Sequence, residues 1–200
     1  MPTRAPDPAP ETRRRGDPRV YVRPPRRSDA PAFIAAVAAS RGLHRHWVQP
    51  PATAAEFAAY LARFAGPRAR DPAHATHAGF LVCRVADDAP VGVLNLSEIV
   101  RGSFHSAYLG YYGFAPHAGQ GYMSEGMALV LAATFRQLRL HRVEANVQPA
   151  NARSISLVRA AGFTREGYSR RYVKIAGRWR DHERWAILAE DWRAQRRRRP

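Results

Sequence analysis

"HAGQGYMSEG", His117 to Gly126, is the stretch on which the reading of this chain turns. It sets three glycines, a glutamine, a serine and a glutamate between two apolar segments. Before it, "SAYLGYYGFA" (106–115) alternates like a strand. After it, Met123, Met127, Val130, Leu131, Thr134 and Leu138 form one stripe of a helix expected from about 121 to 138. Three motifs with a known mechanism do not fit. A P-loop needs Lys directly after its last glycine, and Tyr122 follows Gly121. A dinucleotide fingerprint starting at Gly119 needs Gly or Ala at 124, and Ser124 stands there. A nucleophile elbow needs Gly two residues before the serine, where Tyr122 stands. What remains is a strand, a loop with two glycines, and a helix that starts at once. The first turn of such a helix has unpaired N–H groups and the positive end of the dipole. Glycines at 119 and 121 remove the side chains that would hold an anion away from those donors. The stretch is thus either a plain turn or an anion cradle.

Working outward, order is expected to begin with the short strand "RVYVR" (19–23), stopped by Pro24 and Pro25. Ser28 or Asp29 is placed to cap a helix through "APAFIAAVAAS". "RGLHRHWVQPP" reads as irregular. Thr53 opens a second helix whose Phe57, Tyr60, Leu61 and Phe64 share one face, and Gly66-Pro67 ends it. "GFLVCRVA" (79–86) and "VGVLNLSEI" (91–99) read as a hairpin about "DDAP". Downstream come a strand at 141–148, a short helix "ARSISLVRAA" stopped by Gly162, and a closing hairpin, "GYSRRYVKIAG" and "RWRDHERWAIL", joined at Gly177. The element order is β-α-α-β-β-β-α-β-α-β-β, an α+β domain over 19–192.

The net charge of +16 is unevenly spread. Residues 1–27 hold eight Arg against three acids, and 193–200 hold five Arg and no acid. Residues 1–18 are too rich in Pro and Arg to bury a core and are expected to be a disordered tail, with 193–200 a second, basic tail. The charge of such tails reads either as solubility and coding bias or as a weak attraction for a ribosome or RNA surface. A single cysteine, Cys83, precludes an internal disulfide and suits a reducing cytoplasm. No run of about 18 apolar residues is present, so no membrane span is expected. The pairs His44/His46 and His74/His77 have no carboxylate or Cys cluster beside them, so no metal site is expected.

"VRGSFHSAYLGYYGF", "GQGYMSEGM", "LHRVEANVQPANARS" and "AAGFTREGYSRRYVKIAGRWRDH" together resemble the GNAT N-acetyltransferase superfamily. The likeness is to its RimJ/RimL type, the ribosomal-protein-alanine N-acetyltransferases, and it runs from about 19 to 192. The resemblance implies a mixed, mostly antiparallel sheet, splayed between the strand ending at Ala115 and that of "HRVEANV", and flanked by helices. It implies acetyl-CoA in the opening as co-substrate. The pyrophosphate would rest on the N–H groups of Gly119, Gln120, Gly121, Tyr122 and Met123. The pantetheine would pair like an added strand with the backbone around Phe114 and Ala115. Asn151 and Ser154 fall where the family places cofactor-side polar groups; Asn151 is equally placed to cap the following helix. Where many members carry a Tyr as general acid this chain has Val158, which leaves Ser154 for that role. Pro116 stands where Gln or Arg is common and removes one N–H donor.

The activity so implied is direct attack of an amine on the acetyl thioester, the oxyanion taking a backbone N–H near Phe114 or Ala115. The first-choice acceptor is a protein N-terminal alanine, on a ribosomal or other protein. A small-molecule amine or antibiotic is the alternative, and a non-catalytic ribosome or RNA binder a third. Glu98 is the first choice of general base, with a surface pairing to Arg101 as its other reading. Tyr111, Tyr112 and His105 are candidate relays, and Glu125 and Glu144 read as structural. The acceptor site is expected between 43–49 and the last hairpin. Trp47 either closes over the acceptor or plugs the core. The chain is expected to act as a monomer or dimer.

Overall fold

A computed structural model describes residues 17–65 and 74–198. Most of the expected N-terminal tail and the Gly66-Pro67 stop lie outside those residues. Seven strands form one sheet: β1 (Val20–Arg23), β2 (Ala78–Arg84), β3 (Pro90–Val100), β4 (Ser106–Gly113), β5 (Arg142–Val147), β6 (Thr164–Ile175) and β7 (Arg178–Leu188). Their order is β1-β2-β3-β4-β5-β7-β6. Every pair is antiparallel except β4 with β5. The sheet is therefore mixed and mostly antiparallel.

Among the described residues six helices flank it: α1 (Ala30–Ala39), α2 (Arg41–His44), α3 (Ala54–Ala62), α4 (Tyr122–Arg136), α5 (Ala152–Ala160) and α6 (Ala189–Arg198). Two apolar layers hold helices to sheet. Phe33, Val37, Phe57 and Tyr60 of α1 and α3 meet Leu81, Cys83, Val93 and Phe114. Met127, Val130, Leu131 and Phe135 of α4, with Val158 of α5 and Trp192 of α6, meet Val82, Leu94, Leu96 and Val143. Alternation along the strands sends neighbouring side chains to opposite layers. On α4, Gly126 permits close approach to the sheet, since a Cβ there would lie 2.9 Å from both Val82 methyls.

Local chemistry sets the boundaries. Thr53 Oγ1 accepts the Glu56 N–H at 3.2 Å and the Glu56 carboxylate accepts the Thr53 N–H at 3.1 Å, a capping box that starts α3. Asp29 stands at the start of α1, but its carboxylate turns back to Arg23 and the Arg26 N–H instead of capping. Two segments differ from the sequence reading. The stretch after Ser40 is not wholly irregular, since Arg41–His44 makes a helical turn. Residues 193–198 do not leave the domain as a tail but continue α6, where Trp192 is buried against Phe135, ring centroids 5.4 Å apart. No helix among the described residues is long and apolar enough to cross a membrane.

Candidate active site

β4 and β5 pair only from Ser106–Tyr108 to Arg142–Glu144. Both strands run on, to Gly113 and Val147, without pairing to each other. The sheet splays there, and a cavity of about 1220 Å³ opens among the end of β4, the loop that follows it and α5. The free edge of β4 can be read from its other side. The Phe114 N–H donates to the Val91 carbonyl at 2.9 Å, in register with β3. Antiparallel alternation then turns the N–H and C=O groups of Leu109, Tyr111 and Gly113 away from β3, toward the opening. The same parity is seen at the closed end, where the His105 carbonyl accepts from His141 and Arg142.

This corrects the expected backbone contacts. Phe114 and Ala115 line the cavity. Their N–H groups, however, are committed to the Val91 carbonyl and, at 2.8 Å, to Ser40 Oγ. The donors left for an extended ligand or an oxyanion are those of Tyr111 and Gly113. Sequence reasoning missed the two side chains responsible. Ser40 and His44, one helical turn apart, both reach the end of β4: His44 Nε2–H donates to the Gly113 carbonyl at 2.8 Å. A carbonyl can only accept, so this bond fixes the imidazole tautomer. The signal available was the polar i, i+4 pair interrupting an alanine-rich helix.

Beyond β4 a short turn, Ala115–His117, contains Pro116 and leads into the glycine loop. Gly119 (φ 78°) and Gly121 (φ 82°) both adopt the left-handed conformation, and both are exposed on the cavity rim. The N–H groups of Gly119, Gln120, Gly121, Tyr122 and Met123 meet no acceptor among the described residues; the first bonds of α4 run from Ser124 and Glu125 to the Gly121 carbonyl. Five unpaired donors thus follow one another at a helix N-terminus, all but that of Gln120 on residues that line the cavity. Cations flank them. The Arg19 guanidinium lies 4.9 Å over the Tyr122 ring, and Arg19 also binds the Glu125 carboxylate. Arg153, in the first turn of α5, lines the cavity too.

Across the opening, Asn151 caps α5, its Oδ1 accepting the Ser154 N–H at 3.1 Å. The Ser154 hydroxyl lies 2.6 Å from the Tyr111 hydroxyl, both in the cavity wall. Burial, opposed by that hydrogen bond, pushes the Tyr111 phenol up to about 12, so it stays protonated at neutral pH. Val158, fully buried in the core behind α5, has no part in the wall. Trp47 is half-buried in the wall, on a loop that Gln148 ties to the end of β5 by donating to the His46 carbonyl at 3.1 Å.

Glu98 is not brought to the cavity. It sits on a bulge of β3 (φ 48°), beside the end of β4 that pairs with β5. Its side chain is 68% exposed and lies 3.9 Å from His77 Nε2 rather than at Arg101, which donates to the Leu138 carbonyl. The extra residues of the bulge, invisible to simple alternation, turn it outward. Glu144 is structural, held by Arg142 and Arg184 at 3.0 Å each. Asp181 pins the last hairpin by accepting from Tyr168 and the Arg171 N–H, while Arg180 takes no part in that bond. The hairpin itself does not line the cavity, and no carboxylate among the described residues does. Among the described residues, no group of three His, Cys, Asp or Glu side chains is placed to hold a metal ion.

The acetyltransferase (GNAT) domain model matches residues 19–164. The chain belongs to this family. An Escherichia coli relative, "[Ribosomal protein uS5]-alanine N-acetyltransferase", is 42% identical over 102 residues, 51% of this chain and 53% of that one. The chain therefore spans about half the length of that curated relative. Among solved structures, Mycobacterium smegmatis RimJ in complex with CoA-disulfide superposes with TM-score 0.76 at 27% identity, covering 89% of this chain and 90% of that one. A Vibrio fischeri ribosomal-protein-S5-alanine acetyltransferase superposes with TM-score 0.72 at 25% identity, covering 87% and 95%. GNAT acetyltransferases use acetyl-CoA, and in this GNAT domain the splay, the glycine loop and the hydroxyl pair share one cavity.

Proposed function

We propose that this chain transfers the acetyl group of acetyl-CoA to the N-terminal α-amine of a protein, an alanine-starting ribosomal protein being the first candidate, in the cytoplasm. The observation that carries the choice of acceptor is that no carboxylate among the described residues lines the cavity. A polyamine or lysine amine, with a pKa near 10.4, needs a base to release its proton and an acid group to hold its charge. An α-amine titrates near 7.7–8.0 and is already partly neutral at cytoplasmic pH. It asks least of such a site.

The residues divide the work as follows. The N–H groups of Gly119–Met123, at the positive end of α4, receive a diphosphate. The free N–H and C=O groups of Tyr111, with the Gly113 N–H, offer an edge to pantetheine amides and one donor to an acyl oxygen. Acetyl-CoA supplies an activated thioester. Ser154 is placed to hand a proton to the departing sulfur, and the protonated Tyr111 phenol behind it stabilises the serine oxygen as it does so. Trp47 and the loop around it border the side left for the acceptor.

The test is acetyl transfer to Ala-, Ser- and Met-starting peptides beside polyamines and aminoglycosides. Turnover is expected on the Ala peptide. Turnover on a small amine with none on any peptide would overturn the reading.

A further inference from the structure

The cavity does not end at the glycine loop. Ser124, Leu157 and Ala160 are shared with a second, smaller cavity of about 240 Å³ between α4, α5 and α6. Its walls are small and apolar: Ala128 and Leu131 from α4, Ala160 and Ala161 from α5, and the edge of Trp192. Its rim is Gln195 and Arg196 of α6. Arg196 is exposed, and among the described residues no carboxylate lies within ion-pair distance of it. Its guanidinium lies 5.2 Å from the Trp192 ring centroid, and that of Arg136 lies 5.5 Å from the same ring. Two cations are thus held at one aromatic side chain, which orients them without neutralising them.

We infer that the C-terminal helix α6 completes the acetyl-CoA site, with Arg196 receiving the 3′-phosphate of its adenosine end and the α4–α5–α6 groove receiving the ring. The inference rests on the proposed use of acetyl-CoA. A ligand whose diphosphate lies on Gly119–Met123 and whose far end follows the shared wall reaches an apolar slot and then a free guanidinium. In acetyl-CoA the purine and the 3′-phosphate branch from one ribose next to the diphosphate, so the ring fills the slot while the phosphate meets the guanidinium at its rim. Arg196 thereby has a role inside the domain, and α6 is a part of the site that local motifs do not announce.

The test is calorimetric titration of the full chain with acetyl-CoA and with its 3′-dephospho form. The wild type is expected to bind acetyl-CoA about tenfold tighter than the dephospho form, the scale of one charge-assisted contact. Arg196→Ala should bind both forms alike, at the wild-type dephospho level. Arg197→Ala, which removes the same charge from the same helix outside the groove, should keep the tenfold preference. Three results overturn the inference: no preference in the wild type, equal weakening of both forms by Arg196→Ala, or loss of the preference in Arg197→Ala as well. Binding of neither form by the wild type would instead refute the use of acetyl-CoA, so the two failures are distinct.

Discussion

The two halves of β4 carry similar sequence and opposite surroundings. Over Ser106–Tyr108 the strand shares its edge with β5, and the neighbouring Glu144 is braced by Arg142 and Arg184. Over Leu109–Gly113 the edge has no strand beside it. Ser40 and His44 tie down its far end by single polar bonds, and Tyr111 bridges to Ser154. An unpaired edge inside a protein costs free energy unless something satisfies it. Here the two helix side chains satisfy what lies at the rim and leave Tyr111 and Gly113 donors open. The closed half is architecture, and the open half is a site because its satisfaction is incomplete.

Five changes break or sharpen that contrast. The largest effect is expected from Gly119→Val, which puts a β-branched residue at φ 78° in the donor loop. Acetyl-CoA affinity should fall by about 100-fold, or about 2.7 kcal/mol, with an unchanged circular dichroism spectrum. An unchanged dissociation constant would refute the anion cradle. Ser40→Ala should come next. It removes a fully buried hydroxyl that bonds both the Ala36 carbonyl and the Ala115 N–H, and should lower stability by about 2 kcal/mol in urea unfolding. A loss under about 0.5 kcal/mol would mean that the rim clamp is dispensable.

Ser154→Ala should lower kcat about tenfold with little change in acetyl-CoA affinity, since the group acts on the departing sulfur. A loss of affinity alone would assign Ser154 to binding. Tyr111→Phe should lower kcat in the same sense. Because burial raises the Tyr111 phenol to about 12 from an unfolded value of 10.0, the folded chain keeps a proton that the unfolded chain loses. That contribution to stability is intact below pH 10 and is lost as pH rises toward about 12, and Tyr111→Phe should remove it. The smallest effect is expected from Glu98→Gln, at the closed end: kcat should stay within about twofold, the range of an exposed substitution outside the cavity. A loss of tenfold or more would return Glu98 to the mechanism.

Most of the strands, the helix stripe of α4 and the glycine loop were legible because they rest on local chemistry: period-two and period-3.6 burial, left-handed φ at glycine, and free N–H groups at a helix start. The Asn151 cap and its Ser154 neighbour were legible for the same reason, lying three residues apart. Other features join residues distant in the chain. Ser40 meets Ala115, His44 meets Gly113 and Tyr111 meets Ser154 only because a parallel pairing ends at Tyr108 and the sheet opens. Glu98 left the site through a bulge that shifts register without a local signature. The Arg-rich end became α6 because Trp192 found Phe135, fifty-odd residues earlier, and its burial anchors the helix. Sequence alone determined which segments could form a donor loop beside a free strand edge; long-range pairing and packing decided which backbone groups stayed open and which side chains reached them.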